Sequence, residues 1–261
     1  MPGWLAVTRG DGPLIVSIPH AGTAIPAGIA ARLHDPAGAL GDTDWHVDRL
    51  YRFAAGLGAT VIRTRRSRVA IDVNRDPTGV SLYPGQATTG LCPVTDFAGR
   101  PLYRAGCEPG AAEIARRRAL WFDPYHAALD AEIARLRARH AAVVVYDAHS
   151  IRSELPWLFD GRLPCFNIGT NGGASCDPAL AAAISGLCGP DQVLNGRFKG
   201  GWITRRLGRP GDGVHAVQME LAQRAYLDEA TGRIDPARMA GVQPVLRAIL
   251  TQCLDFAKGQ S

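Results

Sequence analysis

A carboxylate and an imidazole stand two residues apart in Asp147-Ala148-His149-Ser150, directly after the apolar run Ala141-Ala142-Val143-Val144-Val145-Tyr146. Small and β-branched residues in such a run read as a strand buried on both faces, the kind found inside a parallel sheet. Polar residues just past the carboxyl end of such a strand lie where open α/β sheets bind ligands. A metal-binding histidine commonly has a carboxylate or carbonyl on its other ring nitrogen, which fixes the tautomer, and Asp147 could supply one. The competing reading is a capped strand end with a solvated histidine.

Two more predicted strands end in residues of the same kind. Leu14-Ile15-Val16-Ser17-Ile18 runs into Pro19-His20-Ala21-Gly22, where Pro19 stops the ladder and Gly22 lets the chain reverse. His215 to Leu221 reads as a late strand with Glu220 at its exit. A catalytic zinc site takes three nitrogen or carboxylate ligands and keeps a fourth position for water. His20 and His149 are the imidazole candidates. The carboxylate candidates are Asp42, Asp44 and Asp48, of which Asp44 and Asp48 share a helical face. Helix capping and dipole compensation would also account for Asp42 and Asp44. His34 and His140 read as solvated, His215 as packed, and His126 as a packing or supporting residue.

The elements between these strands follow from periodicity and punctuation. Asp42 or Thr43 caps a helix that starts near Asp44 and carries Val47, Leu50, Tyr51 and Ala54 on its apolar face. Gly56-Leu57-Gly58 closes it, and a strand begins at Ala59. Val69 to Asn74 alternates toward its end before Arg75-Asp76-Pro77 turns away. Residues 81–109 are rich in Gly, Pro and Thr and predict a long irregular excursion, placed as a lid over the pocket. Residues 111–139 read as a helical stretch broken at Pro124, with Asp123 capping its second half. Pro164 to Gly169 is another buried strand and Pro178 to Leu187 a short helix. Asp235-Pro236 opens a last amphipathic helix through Phe256. Strands alternating with helices predict a three-layer α/β/α fold with a mostly parallel mixed sheet, one domain over residues 1–261.

Composition narrows the partners. A chain of 261 residues with 46% hydrophobic and 20% charged residues is ordinary for a soluble globular protein and long enough for one large core. Lys199 and Lys258 are the only lysines, so arginine carries nearly all of the positive charge behind the net +5. Guanidinium groups bind carboxylates bidentately, which suits a small anionic substrate. The arginine runs at 63–68 and 116–118 are not interleaved with aromatics as a nucleic-acid platform would be. The six cysteines include no C-x-x-C pair and read as reduced thiols. No apolar stretch approaches the roughly 20 residues that span a bilayer, and the N-terminus carries no targeting pattern. A cytoplasmic protein without membrane or nucleic-acid partners is expected.

Six short motifs, in order, carry a resemblance. Ser17-Ile18-Pro19-His20-Ala21-Gly22, Asp42-Thr43-Asp44-Trp45, Asp72-Val73-Asn74-Arg75, Asp147-Ala148-His149-Ser150, Gly200-Gly201-Trp202-Ile203-Thr204-Arg205 and Gln218-Met219-Glu220 resemble the N-formylglutamate amidohydrolase (deformylase) family, from about residue 14 to 256. The resemblance implies the phosphorylase/hydrolase-like fold of zinc carboxypeptidases and aspartoacylases. It implies hydrolysis of N-formyl-L-glutamate to L-glutamate and formate in histidine degradation, with one zinc ion per chain. His20, Asp44 and His149 would hold the metal, with Asp42 the alternative carboxylate and Asp147 and Asp48 supporting from behind. Glu220 would act as general base and Arg75 would stabilise the oxyanion. Arg75 and Arg205 would bind the two substrate carboxylates, with Asn74 and Asn167 as hydrogen-bond donors.

Three rivals remain at this level. A related zinc enzyme could act on another N-acyl amino acid or peptide, with the same metal chemistry. A binuclear manganese ureohydrolase shares Asp-Ala-His, but needs a carboxylate where this chain has Ser150 and lacks the Gly-Gly-Asp-His-Ser element. A non-catalytic protein holding an acidic amino acid through Arg75 and Arg205 would leave His20, His149 and Glu220 without a purpose.

Overall fold

The computed structural model describes residues 3–82, 85 and 88–260. One seven-stranded sheet is built from β1 (Leu5–Thr8), β2 (Leu14–Ile18), β3 (Thr60–Thr64), β4 (Val143–Ile151), β5 (Phe166–Gly169), β6 (Gln192–Leu194) and β7 (Val214–Ala222), in the order β1-β3-β2-β4-β7-β5-β6. The four central strands β3, β2, β4 and β7 run parallel. β1 and β5 flank them antiparallel, and β6 lies parallel to β5. The helices are α1 (Ala27–Ala30), α2 (Val47–Leu50), α3 (Ala111–Arg117), α4 (Asp123–Arg137), α5 (Pro178–Leu187), α6 (Trp202–Leu207) and α7 (Pro236–Lys258); a small hairpin pairs β8 (Leu227–Asp228) with β9 (Arg233–Ile234).

The strands present alternate residues to two helical layers. On one face Leu14, Val16, Val144, Tyr146, Val217 and Met219 pack against α2, α5 and α7, and the layer stays apolar as far as Ala148 and Leu221. On the other, Ile15, Val143, Val145 and Ala216 meet Tyr125, Leu129 and Ile133 of α4 and Ile203 and Leu207 of α6. Continuing the same alternation, this second face turns polar toward the strand carboxyl ends, at Ser17, Asp147, His149, Gln218 and Glu220. The expected three layers and mostly parallel mixed sheet are therefore present.

Several local expectations differ. β4 does not stop at Tyr146 but runs on to Ile151, because β7 pairs with it residue for residue from Val143↔Val214 to Ile151↔Ala222. His149 thus lies inside a strand and not beyond its exit, and Glu220 lies within β7 as the late strand predicted. Val69 to Asn74 forms no strand: Ala70 N bonds back to Ser67 O, and Asp72 N to Leu91 O. The helix expected from Asp44 is only the short α2, entered through His46 at φ 61° and followed by 3-10 turns over Arg52–Leu57.

Pro124 does not break the 111–139 stretch. A π-helical turn, Arg118–Phe122, joins α3 to α4 and leaves Pro124 in the first turn of α4, where a missing N–H is tolerated. Asp123 is not a cap, and its carboxylate accepts from Arg118 Nε at 3.1 Å. The excursion at 81–109 is irregular where described, with bridges at Leu33↔Tyr103 and Thr95↔Pro101, while residues 83, 84, 86 and 87 lie outside the described residues. Pro236 opens α7 under Asp235, whose side chain accepts from Ala237 N and Arg238 N. Among the described residues no helix is long and apolar enough to cross a membrane.

Candidate active site

Three lone pairs converge at the polar end of the α4/α6 face. His20 stands two residues past β2, His149 is within β4, and Asp44 is brought in by a loop whose Asp44 N donates to His20 O at 3.2 Å. His149 Nδ1 lies 3.0 Å from Asp44 Oδ2 and 3.1 Å from His20 Nδ1, and His20 Nδ1 lies 3.7 Å from Asp44 Oδ2. Around a tetrahedral zinc with bonds of about 2.0–2.1 Å, ligand atoms stand roughly 3.3 Å apart. All three residues are buried, and they form the one cluster of this kind among the described residues. Two imidazoles and a carboxylate are a donor set that zinc accepts readily. Asp42 is outside it: its oxygens accept from Phe97 N at 2.7 Å and Arg152 Nη2 at 3.0 Å.

Carboxylates stand behind both rings. His20 Nε2 lies 2.7 Å from Asp72 Oδ1, and His149 Nε2 lies 2.9 Å from Asp147 Oδ2. A carboxylate on the far nitrogen takes that N–H and leaves the near nitrogen's lone pair for a metal. Burial alone would raise Asp44, but the His20 and His149 rings outweigh it and hold the carboxyl below the usual range. Burial works against a charged His149, yet Asp147 and Asp44 hold its pKa well above the ordinary value. Asp72 is likewise held down, against its burial, by Arg75, His20 and Arg68. The neighbouring carboxylates draw positive charge onto His149, and a cation can take the place of that proton.

Glu220 enters from the neighbouring strand as the register partner of His149. Gln218 Nε2 donates to Glu220 Oε2 at 3.2 Å, and Gln218 Oε1 accepts from Gly201 N at 2.7 Å. Burial pushes the Glu220 carboxyl up to about 8, with His149 and Arg68 pulling the other way and Asp44 adding to the rise. His20, His149 and Glu220 open onto a cavity whose cationic lining is Arg68, Arg75 and Arg197. Phe97, Leu158 and Phe198 form apolar parts of the wall.

The anticipated substrate groups are only partly there. Arg75 lines the cavity and is held by Thr89, with Nε on the carbonyl at 3.0 Å and Nη2 on Oγ1 at 3.2 Å. Arg205 is not in the lining; its Nε donates to Gly200 O at 2.9 Å, because the side chain folds back over the start of α6. Arg197 takes the place in the wall, its Nε anchored on Leu158 O at 3.0 Å. Asn74 reaches the cavity, but its amide works inside the protein, donating to Asp147 Oδ2 at 2.9 Å and accepting from Ile203 N at 2.8 Å.

Asn167 lies outside the cavity lining as well. Its Nδ2 serves Pro164 O at 2.8 Å and Glu220 O at 3.1 Å, leaving only a buried Oδ1 without a protein partner. Asp48 does not stand behind the ligands: it pairs with Arg63 at 2.6 Å on the partly exposed side of α2.

Sequence reading gave no role to Asp72, Gln218, Arg68 and Arg197. The pairing Gln218/Glu220 repeats the i, i+2 spacing of Asp147/His149, and that strand period was a usable signal. Arg68 and Arg197 reach the site from irregular segments, where no periodicity marks the inward side chain.

The chain matches the family model described as N-formylglutamate amidohydrolase over residues 12–227. A Pseudomonas aeruginosa protein named N-formylglutamate deformylase is 49% identical over 259 residues, covering 97% of both chains. A protein of the same name from Pseudomonas putida is 46% identical over 257 residues, covering 96% of this chain and 95% of the relative. Among solved structures, N-formylglutamate amidohydrolase from Ralstonia eutropha JMP134 superposes with a TM-score of 0.84 at 24% identity, covering 99% of each chain. An Agrobacterium tumefaciens gene product gives a TM-score of 0.73 at 20% identity over 98% of this chain and 95% of its own.

Proposed function

This chain belongs to the N-formylglutamate amidohydrolase family, and from that premise we propose that it hydrolyses N-formyl-L-glutamate to L-glutamate and formate with one zinc ion held by His20, Asp44 and His149. The observation that carries the reading is the convergence of His20 Nδ1, Asp44 Oδ2 and His149 Nδ1, all buried, with His20, His149 and Glu220 lining one cavity. The polar patch at the carboxyl ends of parallel strands supports placing the fold with the phosphorylase/hydrolase-like zinc carboxypeptidases, as one domain over residues 1–261. On the same reading the enzyme acts in the cytoplasm, in histidine degradation.

Zinc, when bound, supplies a Lewis acid that makes water nucleophilic near neutral pH. With the charge of a bound cation lowering its carboxyl, Glu220, held by Gln218, would take a proton from the attacking water and deliver it to the amide nitrogen as the carbon–nitrogen bond breaks. One water is consumed; the formyl carbon leaves as formate and the nitrogen as the amine of glutamate. Arg75, fixed by Thr89, stands ready for developing or permanent negative charge. A dicarboxylic substrate needs a second cation, and Arg197 supplies one from the other loop of the cavity wall. Phe97 and Leu158 limit water around the reacting amide.

A panel of N-formyl and N-acetyl amino acids, assayed for released amine with and without added zinc, tests this. N-formylglutamate is expected to be the best substrate, with activity lost to chelator and restored by zinc. Equal turnover of formylglutamate and formyl-leucine would refute the substrate, and full activity in chelator would refute the metal.

A further inference from the structure

The side chains around the metal position form a closed circuit, and Arg68 is the member that closes it. Asp72 gives Oδ1 to His20 Nε2 at 2.7 Å and Oδ2 to Arg68 Nη2 at 2.7 Å. Arg68 Nη1 reaches Asp44 Oδ1 at 3.4 Å, while Asp44 Oδ2 is the oxygen turned toward His20 and His149. Each carboxylate therefore has one oxygen on Arg68 and the other on the imidazole side. Arg68 is only 6% exposed, its guanidinium lies 4.6 Å over the Phe97 ring, and Nη1 also donates to Asp42 O at 3.4 Å. The fork is thus held from its edge and its face.

From this geometry we infer that Arg68 is a positioning residue that restricts Asp44 to one oxygen at the metal. The inference rests on the zinc reading above. A carboxylate can bind a cation through one oxygen or two, and a second would add a fifth donor and crowd the position that a catalytic site keeps for water. Only a planar fork can span Asp44 and Asp72 together; a lysine is a single compact charge and can satisfy one of them at a time. Charge alone gives the opposite emphasis, since a guanidinium near a divalent cation repels it. Removing a mere repulsion would tighten metal binding and leave the coordination number unchanged.

Cobalt(II) substituted into the whole protein separates these cases, because its visible absorption is most intense when four-coordinate and falls when a fifth donor binds. The wild type is expected to give the intense four-coordinate bands. Arg68→Met is expected to lose band intensity as Asp44 Oδ1 swings onto the metal, and Arg68→Lys to lose it too, which carries the test if the Met variant does not fold. Asp72→Asn keeps the contact between Arg68 and Asp44, so the four-coordinate bands should persist while metal affinity falls roughly 10–100-fold through His20. Four-coordinate bands of wild-type intensity in both Arg68 variants would overturn the role of Arg68 alone. A wild-type protein that takes up no cobalt or zinc would overturn the metal reading, and this inference with it.

Discussion

His149 and Glu220 are register partners on adjacent parallel strands, β4 and β7. Neighbouring strands are spaced about 4.8 Å apart, and both side chains leave the same face of the sheet. The proposed metal ligand and the proposed base are therefore spaced by the sheet's own hydrogen-bond ladder and not by a loop. Glu220→Gln keeps the shape and the Gln218 contact while removing the base. Its turnover should fall by about 10²–10⁴-fold with zinc content unchanged. Metal analysis beside steady-state rates checks this, and a wild-type rate would exclude Glu220 as the proton carrier.

Zinc content should be near one per chain and should disappear with either imidazole. His20→Ala and His149→Ala are each expected to lose metal and activity together, because a third of the donor set goes with each ring. Asp147→Asn should retain the metal more weakly, by roughly 10–100-fold, since it acts only through His149 Nε2. Competition with a chromogenic chelator reads all three.

Recognition of the substrate's second carboxylate should reside in Arg197 and not in Arg205. Arg197→Met is expected to lower kcat/KM for formylglutamate by at least about tenfold while leaving formylglutamine nearly unaffected; losing a charge-assisted hydrogen bond costs about 1.5–3 kcal/mol. Arg205→Met should discriminate little between the two. The opposite pattern would return the role to Arg205.

Metal-free stability should carry the signature of Glu220. Its carboxyl sits at about 8 in the folded chain against an ordinary 4.5, so between those values the folded state holds a proton that the unfolded state has released. The folded state binds more protons there, and stability falls as pH rises from about 5 to 8. Glu220→Gln removes that loss. The metal-free variant should melt a few degrees above metal-free wild type at pH 8, with the gap closing toward pH 5. Thermal melts in chelator at the two pH values measure it, and a gap that widens on acidification would contradict the assignment.

In the opposite layer, Tyr51 OH and Tyr146 OH meet at 2.8 Å with both rings buried. Removing one hydroxyl leaves the other without its partner, at about 1–3 kcal/mol, whereas removing both deletes the requirement. Tyr51→Phe and Tyr146→Phe should each lower stability by more than their double variant would suggest on addition. A denaturant-based double-mutant cycle reports the difference.

Period and punctuation in the sequence were enough for the alternating strands and helices, for the last helix under Asp235-Pro236, and for His20 and His149. They misjudged where β4 ends, because the paired length is set by β7 and not by the apolar run itself. The polar half of a strand looks like a loop when its partner is unknown. Asp44 emerged from the Asp42/Asp44/Asp48 group only through tertiary contacts, with Asp42 drawn to Phe97 and Arg152 and Asp48 to Arg63. Arginines were the hardest to place, since a long side chain on an irregular segment can reach several sites. Arg68 and Arg197 face the cavity while Arg205 folds away, and nothing local in the sequence separates them.

The start of α6 touches both halves of the proposed catalytic pair. Gly201 N holds Gln218, which holds Glu220, and Ile203 N holds Asn74, which holds Asp147 behind His149. A Cβ on Gly201 would collide with the Asn74 side chain at 2.5 Å, so this junction is closed to adjustment. Any drift of α6 is then a common-mode disturbance: the proposed base and the support of the proposed ligand shift together, and the spacing between them is insulated from motion of the layer that covers it.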